Sequence, residues 1–243
     1  MDDIIIDEHR IPFSIRRSFT TRSFRLQMRM DRPQVTLTAP RLASEFQIKK
    51  FLDGQMPWLE KKWEIAKKRL SKRRTLTFEA GELFYYYGEP VKLVVHFSKL
   101  KRPGIKVRKD EMIVTLHEGL KPTDHKAQIK KTIEGFYREK AEEAIRDRLD
   151  FFKDHYHFKF HKVTFRNQKS RWGSCSHKGN LNFNWRLIMA PIEVIDYVVV
   201  HEMCHLKEMN HSSRFWKLVE ETQPDYKKTR KWLKENDGLL ALS

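Results

Sequence analysis

His201-Glu202-Met203-Cys204-His205 is the stretch on which the reading of the whole chain turns. On an α-helix, residues four apart lie on one face about one turn apart, so His201 and His205 can direct two imidazoles at one metal ion. Glu202, one step round the helix, stands beside the open coordination position. There a carboxylate can take a proton from an attacking water and deliver it to a leaving group. A pentapeptide of this kind also arises by chance, so its flanks must supply a buried helix and a third ligand.

Both flanks do. Upstream, Pro191 suits the first turn of a helix carrying Ile192, Ile195, Val198, Val199 and Met203. Downstream, His211 is the third candidate. In an unbroken helix its side chain would sit about 9 Å further along the axis than His205 and well round the cylinder, given ~1.5 Å and ~100° per residue. The sequence therefore predicts a break between Lys207 and Asn210. Asn210 tolerates the left-handed conformation, and Ser212 or Ser213 can cap a new helix whose apolar face is Phe215, Trp216, Leu218 and Val219. Three histidines and one open position are the ligand set of a single catalytic Zn2+, with another divalent transition metal as the alternative. The expected chemistry is metal-dependent hydrolysis with Glu202 as general base. His155, His157 and His161 form a rival cluster, without a carboxylate at useful spacing. Cys204 points about 60° to the far side of His201 and reads as a core thiol.

Further upstream, Arg171-Trp172-Gly173-Ser174-Cys175 reads either as a tight turn with a packed Trp172 or as a loop lining the cleft. In the second reading Arg171 binds an anionic group or a developing oxyanion and Trp172 contacts substrate. Asn182 and Asn184 alternate with core residues on the next strand, facing either the cleft as substrate contacts or solvent. The alternation of Phe158, Phe160, Val163 and Phe165, the turn at Ser176 to Asn180, and the alternation from Asn182 to Leu187 predict two strands joined as a hairpin. Before them Thr123 or Asp124 caps a long helix with Ile129, Ile133, Phe136, Tyr137, Ala144, Ile145, Leu149 and Phe152 on one face.

The N-terminal half alternates differently. Residues 15–38 read as strands, and 44–70 as a lysine-rich helix broken in two at Gly54 and Pro57. Residues 82–116 read as a β-meander, and no internal repeat is evident. The expected class is α+β, with a β-rich region and basic helix over residues 1–122 and a metallohydrolase core over 123–243.

Together, Arg171 to Cys175, Asn184-Trp185-Arg186-Leu187, His201 to Leu206, Asn210-His211-Ser212 and Phe215-Trp216 make the chain resemble the YgjP-like, M48-related metallopeptidases, kin to WLM and SprT-type domains. The resemblance covers about residues 15–235, by motif after residue 120 and by pattern before it. It implies a zincin-like core: a backing helix, a small sheet, the active-site helix and a third ligand at His211. It also implies a peptide substrate pairing with a strand above the metal, for which Lys169 to Ser174 or Asn182 to Leu187 are the candidates.

Composition widens the range of partners. The chain has 49 Lys+Arg against 32 Asp+Glu, a formal charge of +17, which attracts polyanions. Peptides or proteins are the leading substrates. Nucleoside triphosphates are the alternative, because such families have also been associated with nucleotide pyrophosphatase activity and Arg171 suits a phosphoanhydride. The lysine- and arginine-rich stretch from Lys49 to Arg74 raises nucleic acid as a third partner, for a nucleic-acid-associated protease or binding module. Two cysteines, no apolar leader near Met1 and no run approaching the ~20 apolar residues of a membrane span predict a soluble, cytoplasmic protein.

Overall fold

The computed structural model describes residues 2–29, 32–71, 75–99, 102–156, 158–168 and 171–242. The chain divides into two compact units, Met1–Arg73 and Arg74–Ser243. Among the described residues there are five α-helices and three small mixed sheets, an α+β composition.

The first unit holds β1 (Asp2–Ile6), β2 (His9–Ser18), β3 (Arg25–Arg29), β4 (Gln34–Pro40) and α1 (Glu45–Ser71). The strand order is β1-β2-β4-β3, with β2 and β4 parallel and both outer pairs antiparallel. Alternation buries Ile11 and Phe13 of β2 and Val35, Leu37 and Ala39 of β4 in one cluster with Ile48, Leu59, Trp63 and Ala66 of α1. Contrary to the sequence expectation, α1 runs unbroken through Gly54 and Pro57. A proline inside a helix costs ~3 kcal/mol, but each fully buried large side chain returns ~1.5–3 kcal/mol. Ile48 before Pro57 and Leu59 and Trp63 after it are all buried, which holds the two halves in line.

The second unit opens on β5 (Leu83–Tyr86), β6 (Glu89–Ser98), β7 (Gly104–Arg108), β8 (Glu111–His117) and α2 (Pro122–Tyr156). This sheet is not a meander: its order is β5-β6-β8-β7, with β6 and β8 parallel. In a meander β7 would lie beside β6. Instead β8, which buries Met112, Val114 and Leu116, takes the inner place, and β7, with exposed Lys106 and Arg108, takes the edge. The plan repeats that of the first unit, element for element. β3 and β7 have identical burial patterns, β2 and β6 nearly so, β4 and β8 bury the same alternate positions, and each long helix starts after the same gap. The chain therefore carries a ββββα module twice, a repeat in buried positions rather than in residue identity.

The units divide near residue 73, not at 122, because the second sheet shares a core with α2 and the elements beyond it. Met112, Val114 and Leu116 cluster with Ile129, Ile133 and Tyr137 of α2. The Tyr137 hydroxyl donates to the Tyr85 carbonyl at 2.6 Å, and the Tyr87 and Gly88 N–H groups donate to the carbonyls of Ile188 and Met189. Beyond α2 come β9 (Lys162–Arg166), β10 (Gly173–Cys175), β11 (Asn180–Asn184), a 3-10 turn (Trp185–Met189), α3 (Ile192–Cys204), α4 (Ser213–Thr222) and α5 (Tyr226–Asn236). Their sheet is ordered β10-β11-β9. The hairpin is β10 with β11, turning at Gly179 (φ +70°), whereas β9 runs parallel to β11, so the predicted β9 to β11 hairpin is corrected. No helix among the described residues is long and apolar enough to cross a membrane.

Candidate metal centre

The helix α3 is buried on almost every side, through Val194, Ile195, Tyr197, Val198, Val199, Val200, Met203 and Cys204, and Asp196 is clamped by Arg148 of α2. Such a helix fixes the direction of its last turn, which carries His201 and Glu202. It ends at Cys204 with His205 as its cap, and the Leu206 and Lys207 N–H groups close the turn onto Met203 and Cys204. The chain then leaves the helical path, as His211 requires. Asn210 does this without a left-handed backbone: its side-chain oxygen accepts from the Ser212 N–H at 3.1 Å. Ser212 in turn accepts from the Phe215 N–H and caps α4.

This brings His201, His205 and His211 together, with one ring nitrogen of each within 4.8 Å of the others. The Nε2 atoms of His201 and His211 stand 3.0 Å apart. Two nitrogens bound at ~2.0–2.1 Å to a tetrahedral zinc lie ~3.3 Å apart, so this pair stands near the spacing of two ligands of one such ion, with His205 within reach of both. His205 Nδ1 lies 3.0 Å from the Glu208 carbonyl. A carbonyl only accepts, so Nδ1 carries the proton and Nε2 keeps its lone pair for a ligand. His201 Nδ1 is buried with no hydrogen-bond partner among the described residues. Burial first, then the neighbouring His205, His211 and Arg230, hold His201 down to about 3, and burial also lowers His211. His201 and His211 are thus held in the neutral form, the one that binds metal.

Aromatic rings brace the triad from behind. The Phe215 ring lies 4.4 Å from His205, 4.8 Å from His211 and 4.9 Å from His201. Trp216 stacks on His211, Tyr226 stacks on Trp216, and the Arg230 guanidinium lies 4.8 Å from the Trp216 ring. The sequence marked Phe215 and Trp216 as an apolar helix face and as part of the family motif, without placing them against the histidines; nothing in it pointed to Arg230.

Glu202 is 5% exposed, and burial pushes its carboxyl up to about 8 against the opposing pull of Arg171 and the Cys175 N–H. The strand β10 covers it. A Cβ built on Gly173 would stand 2.5 Å from Glu202 Cγ and 2.6 Å from Oε1. Only a residue without a Cβ fits at position 173, which allows the backbone of β10 to lie against the carboxylate. Cys175 lies beside it, its thiol raised to about 11 by burial and Glu202; Cys204 is buried, and neither is in a disulfide.

The other expected site residues divide. Arg171 is exposed, and its charge reaches Glu202. Trp172 is half-buried beneath the Arg186 guanidinium and packs against the core. Asn182 joins a cross-strand ladder with Thr164 and Ser174. Asn184 is corrected as a substrate contact. It is 1% exposed, its amide donates to the Gln168 and Arg171 carbonyls, and its oxygen accepts from Arg186, so it orders the loop carrying Arg171. Lys169, Ser170 and, in the rival cluster, His157 lie outside the described residues.

The chain resembles the crystal structure of the metallopeptidase zymogen of Pyrococcus abyssi abylysin at 27% identity, over 37% of this chain and 93% of that one, with a TM-score of 0.32. No curated protein matches. The model of the YgjP-like metallopeptidase domain matches residues 22–236, and the chain belongs to that family.

Proposed function

We propose that this chain is a zinc-dependent peptidase with a zincin-like core, in which His201, His205 and His211 hold the ion and Glu202 is the general base. The observation that carries the reading is the convergence of three imidazoles beside one buried carboxylate. When bound, the ion supplies Lewis acidity. Glu202 accepts a proton from the attacking water and returns it to the departing amine. Burial makes this carboxylate basic, and a cation in the triad draws it back toward its ionised form at neutral pH. Gly173 and the Cys175 N–H hold it in place. Among the described residues the strand β10 pairs in its sheet with β11 alone, so its second edge can receive an extended peptide. Arg171 supplies positive charge for the developing oxyanion.

The donor set favours peptide over nucleotide. Among the described residues the metal-capable group is three imidazoles with no carboxylate, which suits zinc, whereas nucleotide phosphates are usually handled with oxygen-bound magnesium. The test is hydrolysis of a peptide library and of nucleoside triphosphates by the zinc-loaded chain, with Glu202→Gln alongside. We expect peptide cleavage that falls about 10²- to 10⁴-fold in the variant while bound zinc is retained. Phosphate or pyrophosphate release without peptide cleavage, or full activity in the variant, overturns the reading.

A further inference from the structure

The repeated ββββα module allows one copy to serve as a control for the other. In the first unit, one sheet face packs on α1 and the opposite face is open. Registers place the rows Arg16-Thr38-Arg25 and Ser14-Thr36-Gln27 on that open face, followed by the pair Gln34-Arg29, with Pro12 and Arg10 further along β2. The Ser14 and Thr36 hydroxyls, 3.2 Å apart, confirm that they share it. All four arginines and Gln27 are exposed. Arg10, Arg16 and Arg25 form no ion pair among the described residues, and the one carboxylate on this face among them is Asp3, on the edge strand β1.

The corresponding rows of the second sheet are His96-Thr115-Gly104, Val94-Ile113-Lys106 and Lys92-Glu111-Arg108. Three of the four arginines have no counterpart, the central row is largely apolar, and a glutamate enters. The same fold stands without the arginine face, so folding does not require it. The basic helix offered by the sequence is a weaker candidate, since acids are interspersed along it and Lys67 is taken up by Asp7 and Glu64.

We propose that the open face of the first sheet binds the sugar-phosphate backbone of a nucleic acid. Strand spacing and rise make a patch about 10 Å wide and 20 Å long, with Arg25 and Arg29 about 13 Å apart along β3. Guanidinium forks suit phosphate oxygens, and serine, threonine and glutamine supply further donors between them. Among the described residues the face carries no aromatic ring to stack on bases, and contacts to phosphate and sugar carry no sequence information, so binding is independent of sequence. This use of the face does not depend on the metal centre.

The test is fluorescence anisotropy of the intact chain with a mixed-sequence DNA duplex and its single strand, over a range of salt concentrations. With about four phosphates contacted, log affinity falls with log salt at a slope of about −3.6 for the duplex. R16A/R25A lowers that slope by about 2 and weakens binding by about tenfold or more at low salt, while R16K/R25K keeps the slope. K106A/R108A on the second sheet leaves binding unchanged, and all variants melt with the wild type. The proposal is overturned if neither probe binds, if R16A/R25A binds like wild type, or if K106A/R108A loses as much. Displacement of the DNA by polyglutamate at equal charge overturns it too, marking instead a surface for acidic proteins.

Discussion

Gly173→Ala puts the arrangement of the centre to a direct test. The added Cβ would stand 2.5 Å from Glu202 Cγ, 2.6 Å from Oε1 and 2.8 Å from Cδ. Carbon atoms in ordinary contact are ~3.5–4.0 Å apart, so strand and side chain must separate by about 1 Å. The strand is poorly placed to yield: Gly173 pairs with Phe183, which is 1% exposed, and the Asn184 N–H donates to the Trp172 carbonyl at 2.8 Å. The Glu202 carboxylate therefore moves and loses the Cys175 N–H. A displacement of about 1 Å at a reacting group costs about 10²-fold in rate, within the 10²- to 10⁴-fold contribution of a general base. Overpacking of this kind also costs about 1–3 kcal/mol of stability.

The assay is cleavage of a quenched fluorescent peptide, with zinc content and the melting temperature of the metal-free protein measured on the same samples. We expect kcat to fall about 100-fold with zinc affinity unchanged, because the three histidines proposed as ligands lie on α3 and the turn after it. In a Glu202→Gln background the alanine should cause little further loss of rate, since both changes act through one carboxylate. Wild-type kcat in Gly173→Ala, or loss of zinc together with loss of rate, would refute the reasoning.

His211 is exposed, so His211→Ala should leave the metal-free protein as stable as wild type. Its zinc affinity, measured by chelator competition, should fall more than the roughly 10- to 100-fold expected for an outer-shell partner; unchanged affinity would assign the third ligand elsewhere. Gly88 is held at φ +85°, and a Cβ there would meet Pro191 Cγ at 2.6 Å, at the start of α3. Gly88→Ala should therefore destabilise the second unit by about 2 kcal/mol or more in urea unfolding, through backbone strain and overpacking together.

Where sequence alone sufficed, it was because the information was local. The spacing of His201 and His205, the position of Glu202 between them, and the need to break the helix before His211 all come from helix geometry. The buried faces of β4, β8 and α2 come from periodicity in the same way. Where it fell short, the deciding contacts were distant. Gly54 and Pro57 are breakers locally, yet α1 stays whole because Leu59 and Trp63 are buried with Ile48. Asn184 shares the alternation of a cleft-facing residue, but its partners are Gln168 and Arg171 in a loop that no periodicity describes.

The chemistry proposed for this protein is thus legible in its linear order of residues: three imidazoles, one carboxylate and a turn that can bring them together. Their setting is a tertiary matter. Strand pairing placed β10 against Glu202, so that the position of the proposed base depends on the absence of a Cβ at Gly173 and on the Cys175 N–H. It also arranged two dissimilar stretches as the same ββββα module, and gathered arginines from β2 and β3 onto one open face. Such pairings depend on which strands bury the most apolar surface at the centre of a sheet, a competition settled over the whole chain and not within any one segment.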